Sequence, residues 1–422
     1  MIPLLALALC TSSALLTPPA LPQRVPASTP AGATPAPLSP ATMRSGRSAP
    51  SGEAASGPAA STASDAPAAD APAADTPAAD APATDAPAAD APPALDPAPP
   101  PPDRLDGFAL SLYYEGPGPE LRYEAMVDRA ADAGAGALSV VVQWAQPDVT
   151  ASELAPHPTE TPADDDVRRI IRRARARGLT VMVFPILWVE KRALGEWRGT
   201  LRPADEARWW ASYHRFILHY ARLAAAEGAA LYSVGSELAS LEDRTDRWRA
   251  LIADVRAIYP GRLLYSANWD HYREVTFWQH VDLIGLTGYY RLSADPDASV
   301  DDLAAAWTAI RETLLRWRLG VGRPLVFTEL GYPSLDGAAH DPWDYTAPRA
   351  LDHEEQRRCF AAFTRAWIDT PQLAGVFFWN AWGPTDGRNT WYTVWGKPAE
   401  SEVRGWFRRR ASLRAPAKVD GR

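Results

Sequence analysis

The segment 231-LYSVGSELAS-240 sets a short apolar, strand-like run directly against a glutamate, Glu237. Burying an unpaired carboxylate is costly. Either the strand ends there in an open site, or a partner meets the charge. Seven further runs of the same kind surround this one: GFALSLYY from Gly107, GALSVVVQW from Gly136, LTVMVFPILW from Leu179, LLYSAN from Leu263, VDLIGLTGYY from Val281, PLVFTELGY from Pro324 and GVFFWNAW from Gly375. Amphipathic helical patterns separate many of them, including Asp165 to Arg177, Asp205 to Glu227, Val300 to Leu319 and Asp352 to Ile368. Alternation of apolar strands with longer helical segments is the signature of parallel α/β architecture. Eight such units in roughly 300 residues predict a (β/α)8 TIM barrel. A doubly wound sheet is the structural alternative.

The composition confines that barrel to the second part of the chain. Residues 1–102 hold 23 of the 41 prolines and none of the Phe, Tyr or Trp residues. The expected organisation is a signal peptide over 1–22, a Pro/Ala/Asp-rich linker over 23–102, the barrel over 103–413 and a short disordered tail over 414–422. The opening stretch MIPLLALALCTSSALLTPPALP is of signal-peptide length and is too soon broken by proline to span a membrane. It predicts export, to a secreted, periplasmic or surface-tethered location. Cys10 in LALC resembles a lipobox, although Leu9 stands where that pattern wants a small residue, so lipid anchoring is the alternative to free export. The repeat DAPAADAPAADTPAAD cannot offset its ordering entropy and reads as an extended spacer, reaching up to about 200 Å at roughly 3 Å per residue.

A formal net charge of −8 and the lack of a basic stripe argue against nucleic acid as a partner. The seven histidines show neither HxH nor HExxH spacing, and no phosphate loop or GxSxG elbow occurs, so no cofactor and no metal is expected. Asp164, Asp165 and Asp166 precede an arginine-rich helical stretch and read as helix-terminus residues. Cys359 reads as a buried thiol, and Arg408, Arg409 and Arg410 as the solvated face of a terminal helix. Oligomeric state is not legible.

Barrel chemistry gathers at the C-terminal ends of the strands. Those ends read Tyr113 and Tyr114, Gln143 and Trp144, Trp188, Ser236 and Glu237, Asn268 with Trp269 and Asp270, Tyr289 and Tyr290, Glu329 with Tyr332, and Trp379 with Asn380 and Trp382. Flat aromatic faces stack on the C–H faces of pyranose rings, while amides and carboxylates hold hydroxyls. Two glutamates at matched depth are what glycosidic cleavage needs: one protonates the leaving oxygen, and the other attacks or directs water at the anomeric carbon. The predicted partner is therefore a polysaccharide or oligosaccharide.

The segments GSE (235–237), FTELGYPS (327–334) and FFWNAW (377–382), with glutamates after the fourth and seventh strands, resemble clan A retaining glycoside hydrolases. Within that clan they are most similar to the family 113 type of barrel, whose known activities centre on β-mannan. The resemblance implies that Glu237 is the acid/base and Glu329 the nucleophile. It also implies that Tyr289 or Tyr290 donates a hydrogen bond to the nucleophile and that Trp379 or Trp382 floors the −1 subsite. The chain departs from the clan at Ser236, where many members carry an asparagine that binds the sugar 2-hydroxyl. Two other functions stay open on this reading: the same fold acting on another β-glycan, and a catalytically silent glycan-binding protein.

Overall fold

The computed structural model describes residues 105–113 and 118–414. The signal peptide and linker, Tyr114, and the tail beyond Arg414 lie outside the described residues. The elements run β1 (Gly107–Ser111), α1 (Tyr123–Asp132), β2 (Ala137–Gln146), α2 (Asp164–Ala176), β3 (Thr180–Val189), α3 (Glu206–Ala226), β4 (Leu231–Ser236), α4 (Thr245–Ile258), β5 (Arg262–Ala267), β6 (Leu283–Thr287), α5 (Val300–Val321), β7 (Leu325–Leu330), α6 (His353–Trp367), β8 (Leu373–Trp379) and α7 (Ala399–Arg414). The eight strands form a closed parallel barrel in sequence order. Closure is visible at Gly107, which stands opposite Ala137 of β2 on one side and Phe377 of β8 on the other. The (β/α)8 expectation holds.

The strands read as continuous apolar runs because both of their faces are buried. One set of side chains, including Ala109, Val141, Met182, Phe184, Leu231, Leu264 and Val326, fills the barrel. The opposite set packs outward against the helices. Trp209, Trp307 and Trp367, on α3, α5 and α6, lie in that outer layer. Helix α2 shows the underlying logic: Val167, Ile170, Ile171 and Ala174 fall on one face, with three aspartates in the first turn and arginines in the last. Those aspartates do not cap the helix through a side chain. They act through the helix dipole and through pairs such as Asp164 with His219 at 2.8 Å.

One expectation fails at α7. Arg408 and Arg409 are exposed, but Arg410 is buried. Its guanidinium pairs with Asp106, just before β1, at 3.2 Å and donates to the Leu373 carbonyl at 2.7 Å. Trp406 Nε1 donates to the other Asp106 oxygen at 3.0 Å. The arginine run therefore straddles the boundary between solvent and a latch that ties the last helix to the first strand. Among the described residues no helix is long and apolar enough to cross a membrane.

Candidate active site

Glu237 follows β4 and Glu329 is the penultimate residue of β7, and both side chains are buried. Register shifts occur beside each: between Ser233 and Ser236 in the β4–β5 pairing, and between Leu286 and Thr287 in the β6–β7 pairing. Such irregularities re-aim side chains at barrel rims. Glu237 has φ +57°, a left-handed conformation that costs a non-glycine residue about 1–3 kcal/mol. Two bonds from β5 hold it there. The Glu237 N–H donates to the Ser266 carbonyl at 2.8 Å, and the next N–H, of Leu238, donates to the Tyr265 hydroxyl at 2.9 Å. Tyr265 donates in turn to Glu242 at 2.6 Å, whose other oxygen meets His271 Nδ1 at 2.7 Å. Gly235 makes this packing attainable, since a Cβ there would lie 2.5 Å from the Tyr213 hydroxyl and 3.0 Å from the Tyr265 ring.

Tyr289 donates its hydroxyl to Glu329 Oε2 at 2.9 Å, while Oε1 has no hydrogen-bond partner. Neither oxygen of Glu237 has one either. The neighbouring Thr287 hydroxyl donates to Asn268 Oδ1 at 3.2 Å and also acts to lower the Glu237 pKa, and the Asn268 amide donates to Asp270 at 2.6 Å. Arg198, on the short 3-10 turn Arg198–Thr200 after β3, places Nη1 3.6 Å from Glu237 Oε2. Burial raises the pKa of Glu237 against the opposing charge of Arg198. Burial and then the charge of Glu237 push Glu329 up to about 8, with Arg198 and Tyr289 acting the other way. The two carboxyls thus titrate as a pair that shares a proton near neutral pH. Ser236 Oγ and Asn380 Oδ1 are also buried and unpartnered, beside the pair at the ends of β4 and β8. A set of unpartnered polar atoms gathered at one barrel mouth suits a ligand rich in hydroxyls.

The sequence model of Glycoside Hydrolase Family 113 matches residues 118–397. The chain belongs to glycoside hydrolase family 113. Among solved structures it resembles the GH113 β-mannanase AaManA from Alicyclobacillus acidocaldarius, in complex with ManMIm. That likeness has 27% identity and TM-score 0.65 and covers 73% of this chain and 98% of that one. Two structures of GH113 β-1,4-mannanase share the fold at 22% and 23% identity and TM-score 0.63, each over 72% of this chain and 99% or 98% of theirs. No curated protein matches the chain. The protein is a glycoside hydrolase, and its substrate is a carbohydrate.

The family 113 barrel sorts the predicted site residues by the face on which they fall. Tyr113, Tyr289 and Trp379 belong to the inner cluster, with Trp269 packed against it. Four others do not reach the mouth as expected. Trp144 stacks on Phe216 of α3 at 5.3 Å, outside the barrel. Tyr332 faces Phe360 of α6, and its hydroxyl accepts from Trp307 at 3.0 Å. Tyr290 packs between Trp269 and Trp307, so Tyr289 is the tyrosine that meets Glu329. Trp382 lies against Trp391 in the outer layer, which leaves Trp379 as the aromatic of that pair in the inner cluster. Trp188 is half-buried, edge-on to His157 at 5.0 Å. Successive strand residues point to opposite faces, so of two adjacent aromatics only one can enter the barrel.

Sequence reasoning missed Arg198 and the aromatic wall built by the long loops. Trp343, Tyr345 and Tyr392 join the inner cluster from beyond β7 and β8. Trp343 stacks on Trp269 at 5.9 Å, and Tyr392 faces Tyr289 at 6.1 Å. Asp336, Asp352 and Glu355 converge elsewhere, within 4.8 Å of one another. The Gly337 and Ala339 N–H groups already donate to Glu355, and Asp352 caps α6.

Proposed function

We propose that the protein is a retaining hydrolase of β-mannan-type chains, with Glu237 as acid/base and Glu329 as nucleophile. The observation that carries this reading is the Tyr289 hydroxyl on Glu329 Oε2, which leaves Oε1 without a bond and available to attack the anomeric carbon. Burial raises the pKa of Glu237, and in this reading the proton shared by the pair sits on Glu237, which gives it to the leaving oxygen. The glycosyl ester on Glu329 is then hydrolysed by a water that Glu237 deprotonates. Trp379 floors the −1 sugar, while Ser236, Asn268 and Asn380 take its hydroxyls. The β-mannan preference rests on the likeness to AaManA. Export through residues 1–22, with tethering by the linker or by lipidated Cys10, completes the proposal.

Proton NMR of the first product formed from a β-1,4-manno-oligosaccharide tests the mechanism, and retention requires the β-anomer before mutarotation. Initial release of the α-anomer, or turnover in Glu329→Gln equal to wild type, would refute it. Binding without turnover in wild type and in both glutamate variants would favour a silent glycan-binding protein.

A further inference from the structure

Glu242 is a carboxylate that the proposed reaction does not use, yet it lies fully buried shortly after Glu237 in the chain. Such burial is costly unless donors meet both oxygens, and two donors do. Tyr265, on β5, donates to Oε1 at 2.6 Å, and His271, on the loop after β5, meets Oε2 through Nδ1 at 2.7 Å. The backbone beside Glu242 is pinned as well. Thr276 donates its hydroxyl to the Glu242 carbonyl at 3.2 Å, and Trp248 of α4 donates Nε1 to the Leu241 carbonyl at 2.8 Å. Of His271, Glu242 and Tyr265, only His271 meets solvent, at 36% exposed.

Charge dictates the order of protons along this chain. An ionised carboxylate only accepts. While Glu242 is an anion, the Tyr265 proton points at it, and the lone pairs of the same hydroxyl are left for the Leu238 N–H at 2.9 Å. That N–H belongs to the residue after Glu237, whose backbone stands at φ +57°. A proton on Glu242 Oε1 would set a second donor against the Tyr265 hydroxyl and loosen its hold on Leu238. A cation beside a buried carboxylate keeps it ionised. The titratable groups facing His271 are Glu242 from the turn after β4, and Glu274 and Asp270 from its own loop, all acidic. The Glu242 hydrogen bond foremost, and then these charges, hold the His271 pKa above its ordinary 6.5 against the effect of burial. The imidazolium is therefore present at acidic pH and is lost as pH rises through the shifted value.

We infer that Glu242 and His271 are positioning residues for Glu237: the imidazolium at the surface fixes Glu242 as an anion, Glu242 orients the Tyr265 hydroxyl, and that hydroxyl holds the backbone that aims the acid/base. The inference rests on the acid/base reading of Glu237 above and adds a control that works through the main chain. His271 has one other tie to the site, since its N–H donates to the Asn268 carbonyl at 3.0 Å. A purely structural role there would shift Asn268 and Trp269, which the reading above places against the sugar, and would show in KM.

The test uses the full chain and two substrates: a β-1,4-manno-oligosaccharide, and a dinitrophenyl β-manno-oligosaccharide whose leaving group departs without a proton. His271→Asn keeps a donor and removes the charge, and Glu242→Gln keeps the volume and removes the anion. At about pH 6 each should lower kcat/KM on the plain oligosaccharide about five- to tenfold, the difference between a charge-assisted and a neutral hydrogen bond, with KM within about twofold of wild type. The ratio of wild type to His271→Asn should fall toward one by about pH 9, because wild type then loses the same charge. On the dinitrophenyl substrate both variants should stay within about twofold of wild type, since that bond breaks without an acid. An equal loss on the two substrates, a ratio constant with pH, or a change confined to KM overturns the inference. If Glu237→Ala shows no such dependence on the leaving group, or wild type cleaves neither substrate, the reading of Glu237 is what has failed. Hydrogen exchange at the Leu238 amide then decides the clamp alone: exchange at least about tenfold faster in both variants than in wild type at one pH sustains it, and equal exchange overturns it.

Discussion

Tyr265→Phe removes one oxygen atom and tests whether the backbone around Glu237 is held by force. The lost hydroxyl accepts the Leu238 N–H at 2.9 Å and donates to Glu242 at 2.6 Å, all inside the protein. A buried donor left without a partner costs about 1–3 kcal/mol, and the stranded Glu242 oxygen adds a comparable amount. The expected loss is about 2–6 kcal/mol, or roughly 3 to 9 °C in Tm for a domain of this size. The effect on turnover is a separate quantity. The left-handed φ of Glu237 stores about 1–3 kcal/mol, which can relax once the Leu238 clamp is gone. At about 1.4 kcal/mol per tenfold, kcat should fall roughly ten- to hundredfold, with KM nearly constant because Tyr265 lies behind the cleft. Steady-state kinetics on a β-manno-oligosaccharide beside thermal unfolding reads both numbers. Tyr213→Phe is the control: it deletes a buried hydroxyl that donates to the Val234 carbonyl at 2.9 Å and has no tie to Leu238. It should lower Tm and spare kcat. If Tyr265→Phe lowers Tm but leaves kcat within about threefold of wild type, the clamp is structural and the reasoning is refuted.

Burial and Glu237 raise the Glu329 pKa from its ordinary 4.5 to about 8. Between those values the folded state holds a proton that the unfolded chain has released, so this contribution to stability falls as pH rises through the window. Glu329→Gln should therefore gain Tm relative to wild type between pH 5 and pH 8, and a constant difference would contradict the shift. Tyr289→Phe removes a bond that lowers the Glu329 pKa, so the acidic limb of its pH–rate profile should move to higher pH and kcat should drop roughly ten- to hundredfold. Arg410→Met removes the buried ion pair to Asp106 and should cost about 3–5 kcal/mol in chemical denaturation. A loss below about 0.5 kcal/mol, typical of a surface arginine, would restore the solvated reading of that position.

The barrel was legible because its signal is repetitive. Eight apolar runs, separated by one-sided helices such as α2, leave few alternatives, and the described strands begin within a few residues of the runs that predicted them. The two glutamates were legible because each closes such a run. What strand ends cannot convey is side-chain parity, since a bulge or a turn resets it. Tyr332 stands three positions after Glu329 and Trp382 three after Trp379, and both turn to the outer layer. Arg198, Trp343, Tyr345 and Tyr392 come from loops, where no periodicity marks them and only the folded chain brings them together. Arg410 was misread because a run of three like residues resembles one surface, although a helix spreads them around its axis.

The latch of Asp106 with Trp406 and Arg410 lies at the start of β1, whereas both glutamates lie at strand ends. Whatever precedes Leu105 thus joins the barrel at the pole opposite the catalytic mouth. Under the tethering proposed above, a pull on the chain would arrive first at a buried ion pair shared by the opening strand and the closing helix. The glutamates, at the other ends of the strands, would stand clear of that load.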